Sequence, residues 1–105
     1  VVWYLKMKPD IDKLTEIGGA KILEFVTLTS ENKRTGATKH IIGGQEQTDF
    51  SGLAICQYEG DDSFYLLYCD SDWNELTDTW HEDIESAKNQ ASFEFKGLEG
   101  KWKKK

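Results

Sequence analysis

Two runs, L-A-I-C-Q-Y at 53–58 and S-F-Y-L-L-Y-C-D at 63–70, flank a short E-G-D-D segment and constrain the fold more than any other feature. Their aliphatic and aromatic residues are those of strands, and Gly60-Asp61 supplies the positive φ angles of a tight hairpin turn. By the two-residue loop rule, paired positions sum to about 121, so Cys56 sits opposite Tyr65 and Cys69 opposite Gly52. Sulfurs placed that way do not meet. With no C-x-x-C spacing, they read as buried thiols of a reducing compartment. A nucleophilic thiol would need His40 or His81 beside it, and a zinc site would need a ligand spacing; the sequence shows neither.

The remaining elements arrange themselves around this hairpin. Val1 to Lys8 alternates as a strand that Pro9 stops. Asp10 is placed to cap a short helix, I-D-K-L-T-E-I, with Ile11, Leu14 and Ile17 on one side and Gly18-Gly19 ending it. Residues 20–29 read as a strand, 30–36 as a turn and 37–42 as the returning strand; Gly43-Gly44 then opens a polar loop at 43–50. E-L-T-D-T-W (75–80) forms a strand with Leu76 and Trp80 on one face, which puts Trp80 in the core. Asp83 caps a helix to Lys96 that carries Ile84, Ala87, Ala91 and Phe95 on one stripe, and Gly97 closes it. Trp102 is positioned to fold back onto the body. The order β-α-β-β-β-β-β-α predicts an α+β fold. It comprises an antiparallel sheet of about six strands, a short N-terminal helix and an amphipathic C-terminal helix packed on one face. Residues 1–105 make one domain, with 98–105 a flexible basic tail.

Charge is unevenly placed. From His40 to Ala87 there is no Lys or Arg, and the same 48 residues hold twelve carboxylates, whereas 1–39 carries +2 and 88–105 carries +4. Such segregation produces a directional field that attracts cations or basic partners. It repels the phosphates of nucleic acid. No apolar run approaches the roughly 18–20 residues that span a bilayer, and no leader pattern is present. The expectation is a soluble cytoplasmic protein with no membrane partner.

The acidic stretch C-D-S-D-W-N-E-L-T-D-T-W-H-E-D (69–83) places Asp70, Asp72 and Asn74 at alternate positions, as a calcium loop does. Counted from Asp70, the sixth position is Glu75 rather than Gly and the twelfth is His81 rather than Glu. A strand pattern, not a helix, leads into it. Three requirements fail, so the stretch makes a poor EF-hand. A looser divalent site of Asp70, Asp72 and Asp78, with His81 beside it, remains as the basis of a small enzyme or metal-binding module. The plainer reading makes Asp70, Ser71, Asp72 and Asn74 turn residues that hydrogen-bond their own backbone. A Trp ringed by carboxylates is an anchor for a cation or an Arg-bearing partner. Trp73, at the turn, either packs into the core or serves as that anchor.

The end of the chain, from Tyr65 through the Glu85-Ser86-Ala87-Lys88 helix to about residue 97, resembles the ending of certain small bacterial proteins. They share a D-x-x-W-N-x-x-T-D-T-W-H pattern running into an E-x-A-K helix. The resemblance implies a bacterial or phage origin and a compact α+β fold, and it brings no catalytic motif. Spread carboxylates without a focus point to a non-catalytic binding protein, such as an inhibitor or immunity-like protein. It would dock a basic protein partner through Asp61, Asp62, Asp70, Asp72, Trp73, Asp78 and Glu82, with no cofactor.

Overall fold

The computed structural model describes residues 9–105, and the strand expected for 1–8 lies outside the described residues. The elements are β1 (Glu16–Ile17), β2 (Ala20–Thr27), β3 (His40–Ile42), β4 (Gln45–Gln47), β5 (Gly52–Gln57), β6 (Phe64–Cys69), β7 (Glu75–His81), α1 (Ile84–Glu94) and β8 (Lys103–Lys104). The main sheet runs β1-β2-β5-β6-β7, with β8 also paired to β2; β3 and β4 form a separate hairpin. All pairings are antiparallel, and the class is α+β.

The β5–β6 hairpin has the expected register, with Cys56 opposite Tyr65 and Gly52 opposite Cys69. Its loop is longer than two residues. Gly60 alone within it adopts a positive φ, at 77°, while Gln57 donates its side-chain amide to the Asp61 carbonyl at 2.9 Å and Asp61 accepts the Ser63 N–H at 2.8 Å. The register holds because the longer loop is centred on the same point. β5 and β6 are buried almost throughout, as central strands covered on both faces are.

One face of the sheet carries Val26, Leu53, Ile55, Leu66 and Tyr68, which pack with Phe50, Leu98 and the Ala87–Ala91–Phe95 stripe. This is the helix face. The second face carries Ile22, Phe25, Ala54, Cys56, Leu67 and Cys69, against which Trp73, Ile11 and Leu14 pack. Lys88 ties α1 to β2 through an ion pair with the buried Glu24 at 2.8 Å. Residues 98–105, expected as a basic tail, run back along the body. Leu98 is buried, Trp102 packs on the helix-face core, and Lys103 and Lys104 pair with Phe25 and Glu24.

The short N-terminal helix is absent. Asp10 does organise a turn, its carbonyl accepting from Lys13 and Leu14 at 2.9 and 3.1 Å, but the chain then extends into β1. Gly18 and Gly19, at φ 57° and 84°, form the two-residue turn that sets Ile17 opposite Ala20. An isolated helix this short is marginal, and β1 gains ladder bonds from β2 instead. Turn followed by strand still brings Ile11, Leu14 and Ile17 to one core. The returning strand at 37–42 is also corrected: only His40–Ile42 is extended, and it pairs with β4 across Gly43-Gly44 rather than with β2. Part of the loop expected at 43–50 is therefore strand. The expected helix end at Lys96 falls back to Glu94, because Thr35 and Lys96 draw residues 94–96 into backbone bonds with 33–35 at 2.9 and 3.0 Å.

Gly52 lies beneath the Trp73 ring, and a Cβ built there meets ring carbons at 2.4–2.9 Å. Trp73 cannot easily yield, being buried and edge-on to Phe25 at 5.9 Å. Gly52→Ala should lower unfolding stability by about 1–3 kcal/mol in urea denaturation. A stability change within error would show that the indole moves freely.

Candidate functional site

β7 presents the site, and a bulge determines how. Thr77 pairs with Tyr68 and Glu75 with Cys69, leaving Leu76 as the additional residue. Leu76 therefore turns to the helix-face core, while Glu75, Asp78 and Trp80 stand opposite Cys69, Leu67 and Tyr65 on the second face. Trp80 is 59% exposed. Beside it, Tyr58 and Tyr65 meet edge-to-face with centroids 5.4 Å apart. Asp61 and Asp78 lie close enough to the Tyr65 phenol to raise it.

The electrostatics of this face are one-signed. Partial burial, then a hydrogen bond and repulsion from Asp78, push the Glu75 carboxyl up to about 7. Burial, followed by Glu75 and Asp78, raises the Tyr58 phenol above its usual range. Burial, followed by Asp61, raises Tyr65. Burial and then Glu75 push the Cys56 thiol up to about 12, and burial raises Cys69 further. Thiols held this way are not nucleophiles. Among the described residues the one Lys or Arg ion pair is Lys88–Glu24, so no Lys or Arg there pairs with Glu75 or Asp78.

The residues singled out in the sequence separate into several places. Asp70 holds the turn: its carboxylate accepts the N–H groups of Asp72 and Asn74 at 2.9 Å each and the Asn74 side-chain amide at 3.2 Å. Asp72 follows in that turn, half-buried, while Asp62 and Glu82 are exposed. Trp73 is buried at 8% exposure, with φ at 62°, so it is packing rather than an anchor. Of the two readings open for Trp73 the structure shows core packing, whereas Trp80, expected in the core, is exposed. Asp78 and His81 occupy opposite faces of β7, His81 opposite Phe64 and Asp78 opposite Leu67. Among the described residues, no three His, Cys, Asp or Glu side chains converge as a metal site requires.

His81 belongs to a buried polar network on the helix face that the sequence reading missed. Its Nε2 lies 2.7 Å from Thr79 Oγ1 and its Nδ1 3.0 Å from Ser86 Oγ. Burial lowers its pKa, partly opposed by Asp83 and Glu94. The centre of the network is Glu94, 1% exposed. It is hydrogen-bonded to His40 Nε2 at 2.6 Å, to Gln90 at 3.0 Å and to the Tyr68 hydroxyl. The His40 ring lies on Tyr68 with centroids 4.2 Å apart and meets Phe50 edge-on. Burial and then the Glu94 contact raise the Tyr68 phenol well above its normal range. Closed off from water, this arrangement fastens β3, β6 and α1 together. The available signal was a Glu three residues beyond Ala91, on the apolar stripe of the helix.

Compared with protein-family models, curated proteins and solved structures, the chain matches none. Among the described residues no helix is long and apolar enough to cross a membrane.

Removing Glu94 would leave His40 Nε2 buried and unpaired and would leave the Tyr68 hydroxyl with only its 3.5 Å contact to Thr79 Oγ1. Glu94→Ala should cost about 3–5 kcal/mol in chemical denaturation, and Glu94→Gln less. A loss below about 1 kcal/mol for the alanine variant would show that water or a rearrangement replaces the carboxylate. Glu75 predicts a pH effect. Its folded carboxyl titrates at about 7 against an ordinary 4.5, so the folded state holds the additional proton between those values. The stabilisation it provides is complete below pH 4.5 and is lost as pH rises to about 7. Melting temperatures of the wild type should therefore fall across that window relative to Glu75→Gln. Parallel curves for the two proteins would contradict the raised carboxyl.

Proposed function

We propose that this protein is a non-catalytic binding protein that docks a basic protein partner on its second face, as an inhibitor or immunity-like protein would. The observation that carries the reading is the exposed indole of Trp80 on one strand face with the Asp78 carboxylate and with Glu75, whose raised carboxyl gives up its proton at about pH 7, and no described Lys or Arg pairs with either. An indole accepts a guanidinium or ammonium on its face. Carboxylates beside it supply charge-assisted hydrogen bonds, two at a time for Arg. Asp61, with the phenols of Tyr58 and Tyr65, extends the same chemistry, while Asp62 and Glu82 contribute to the long-range field that steers a cationic partner. The acids are spread along a strand and a loop rather than gathered around one reacting centre, which favours docking over chemistry. The two free buried thiols support a reducing, cytoplasmic setting.

Affinity capture from lysate of the source organism, at about 50 and 300 mM salt, tests this when run with the wild type beside Trp80→Ala and Asp78→Asn. A basic protein should be retained at low salt, released at high salt, and held about tenfold or more weakly by either variant, with melting temperatures unchanged. Retention that ignores both substitutions would sink the proposal, and so would a partner that is acidic.

A further inference from the structure

The two edges of the main sheet are treated differently. On the outer side of β2, β1 pairs with Ala20 and Lys21 and β8 with Glu24 and Phe25, while Lys105 donates its N–H to the Leu23 carbonyl at 3.0 Å. That edge is closed. β7 ends the sheet at the other side and, among the described residues, pairs only with β6. Past the bulge, Thr77 to His81 is a regular ladder. Along such a strand, every second residue directs its N–H and C=O away from the neighbour already in place.

The side chains of β7 then decide what could pair there. The strand holds Glu75 and Asp78 and no Lys or Arg, and Glu82 follows it. A second copy pairing antiparallel through β7 would bring Glu75, Asp78 and Glu82 of both copies to one seam with no Lys or Arg on the strand to offset them, and that repulsion opposes self-pairing. A strand bearing Arg or Lys reverses that sign, and its basic residues fall next to Asp78 and Trp80 on the second face. Charge therefore selects against self-pairing and for a basic segment.

We propose that the edge of β7, unpaired among the described residues, takes up an extended basic segment of the partner as an added strand, so that backbone hydrogen bonds give affinity while Asp78, Glu75 and Trp80 read alternate side chains. The inference rests on the binding reading above and names how the partner engages that face.

The probe is a seven-residue peptide alternating Arg and Thr, with two further versions N-methylated at its odd or its even amides, measured at low salt by binding and by amide hydrogen exchange. An added strand uses one edge only. One methylated set should therefore bind about tenfold or more weakly and the other set normally, with slowed exchange confined to β7 and its immediate neighbours. Asp78→Asn should weaken the unmodified peptide. If the peptide binds through Asp78 and Trp80 but both methylated sets bind equally and β7 amides are unprotected, strand addition is wrong while face docking stands. If no peptide binds, strand addition is likewise wrong, and the capture experiment with Trp80→Ala decides separately whether the face binds a folded basic protein.

Discussion

The buried carboxylate of Glu94 is the contact on which the arrangement of parts depends. A charged or polar oxygen in a dry core is tolerated only when its bonding capacity is filled. Here it is filled by Tyr68 from the central sheet, His40 from the β3–β4 hairpin and Gln90 from the same helix. The helix face of α1 is small, chiefly Ala87 and Ala91, so apolar packing alone orients it weakly. Directional bonds to Glu94 determine its rotation and hold a hairpin that, among the described residues, shares no ladder with the main sheet. The Glu24–Lys88 ion pair serves the other side of the helix in the same way.

A second constraint is the single-residue bulge at Leu76. Without it, period-two alternation would place Leu76 on the same face as Asp78 and Trp80. With it, Leu76 is drawn into the helix-face core while the acids and the exposed indole stay together opposite β6 residues of the second face. One additional residue thus separates a packing side chain from the row of side chains proposed for recognition. The same strand sends Thr77, Thr79 and His81 inward to the polar network, so β7 links the buried network to the proposed binding face.

How much was legible in the sequence can be judged residue by residue. The β5–β6 register was legible because the turn signal at Gly60-Asp61 marks the centre of the loop, and that centre decides which residues face each other. The Asp83 cap and the Ala87–Ala91 stripe were legible because helix start signals and helical period are local. The Asp70 turn was equally local: its carboxylate bonds the two nearest available amides. The helix expected at 11–17 failed because a short amphipathic spacing also suits a turn followed by a strand, and only the presence of β2 decides between them. The pairing of 40–42 with 45–47 was hidden because Gly43-Gly44 reads as loop until both φ values are known. Trp73 was left open and Trp80 was misplaced because their burial depends on a left-handed residue over Gly52 and on a bulge, neither of which leaves a pattern in composition.

By itself, the sequence determined the α+β class, the antiparallel central hairpin, the capped C-terminal helix and the concentration of negative charge between His40 and Ala87. These follow from short-range periodicity, turn chemistry and charge counting, which need no knowledge of what lies opposite. Only the tertiary structure decided which tryptophan faces solvent, which carboxylates share a face and which one is buried, and which sheet edge is closed. Each of those depends on a partner many residues away, and a long-range contact is a property of the packed chain rather than of any segment in it.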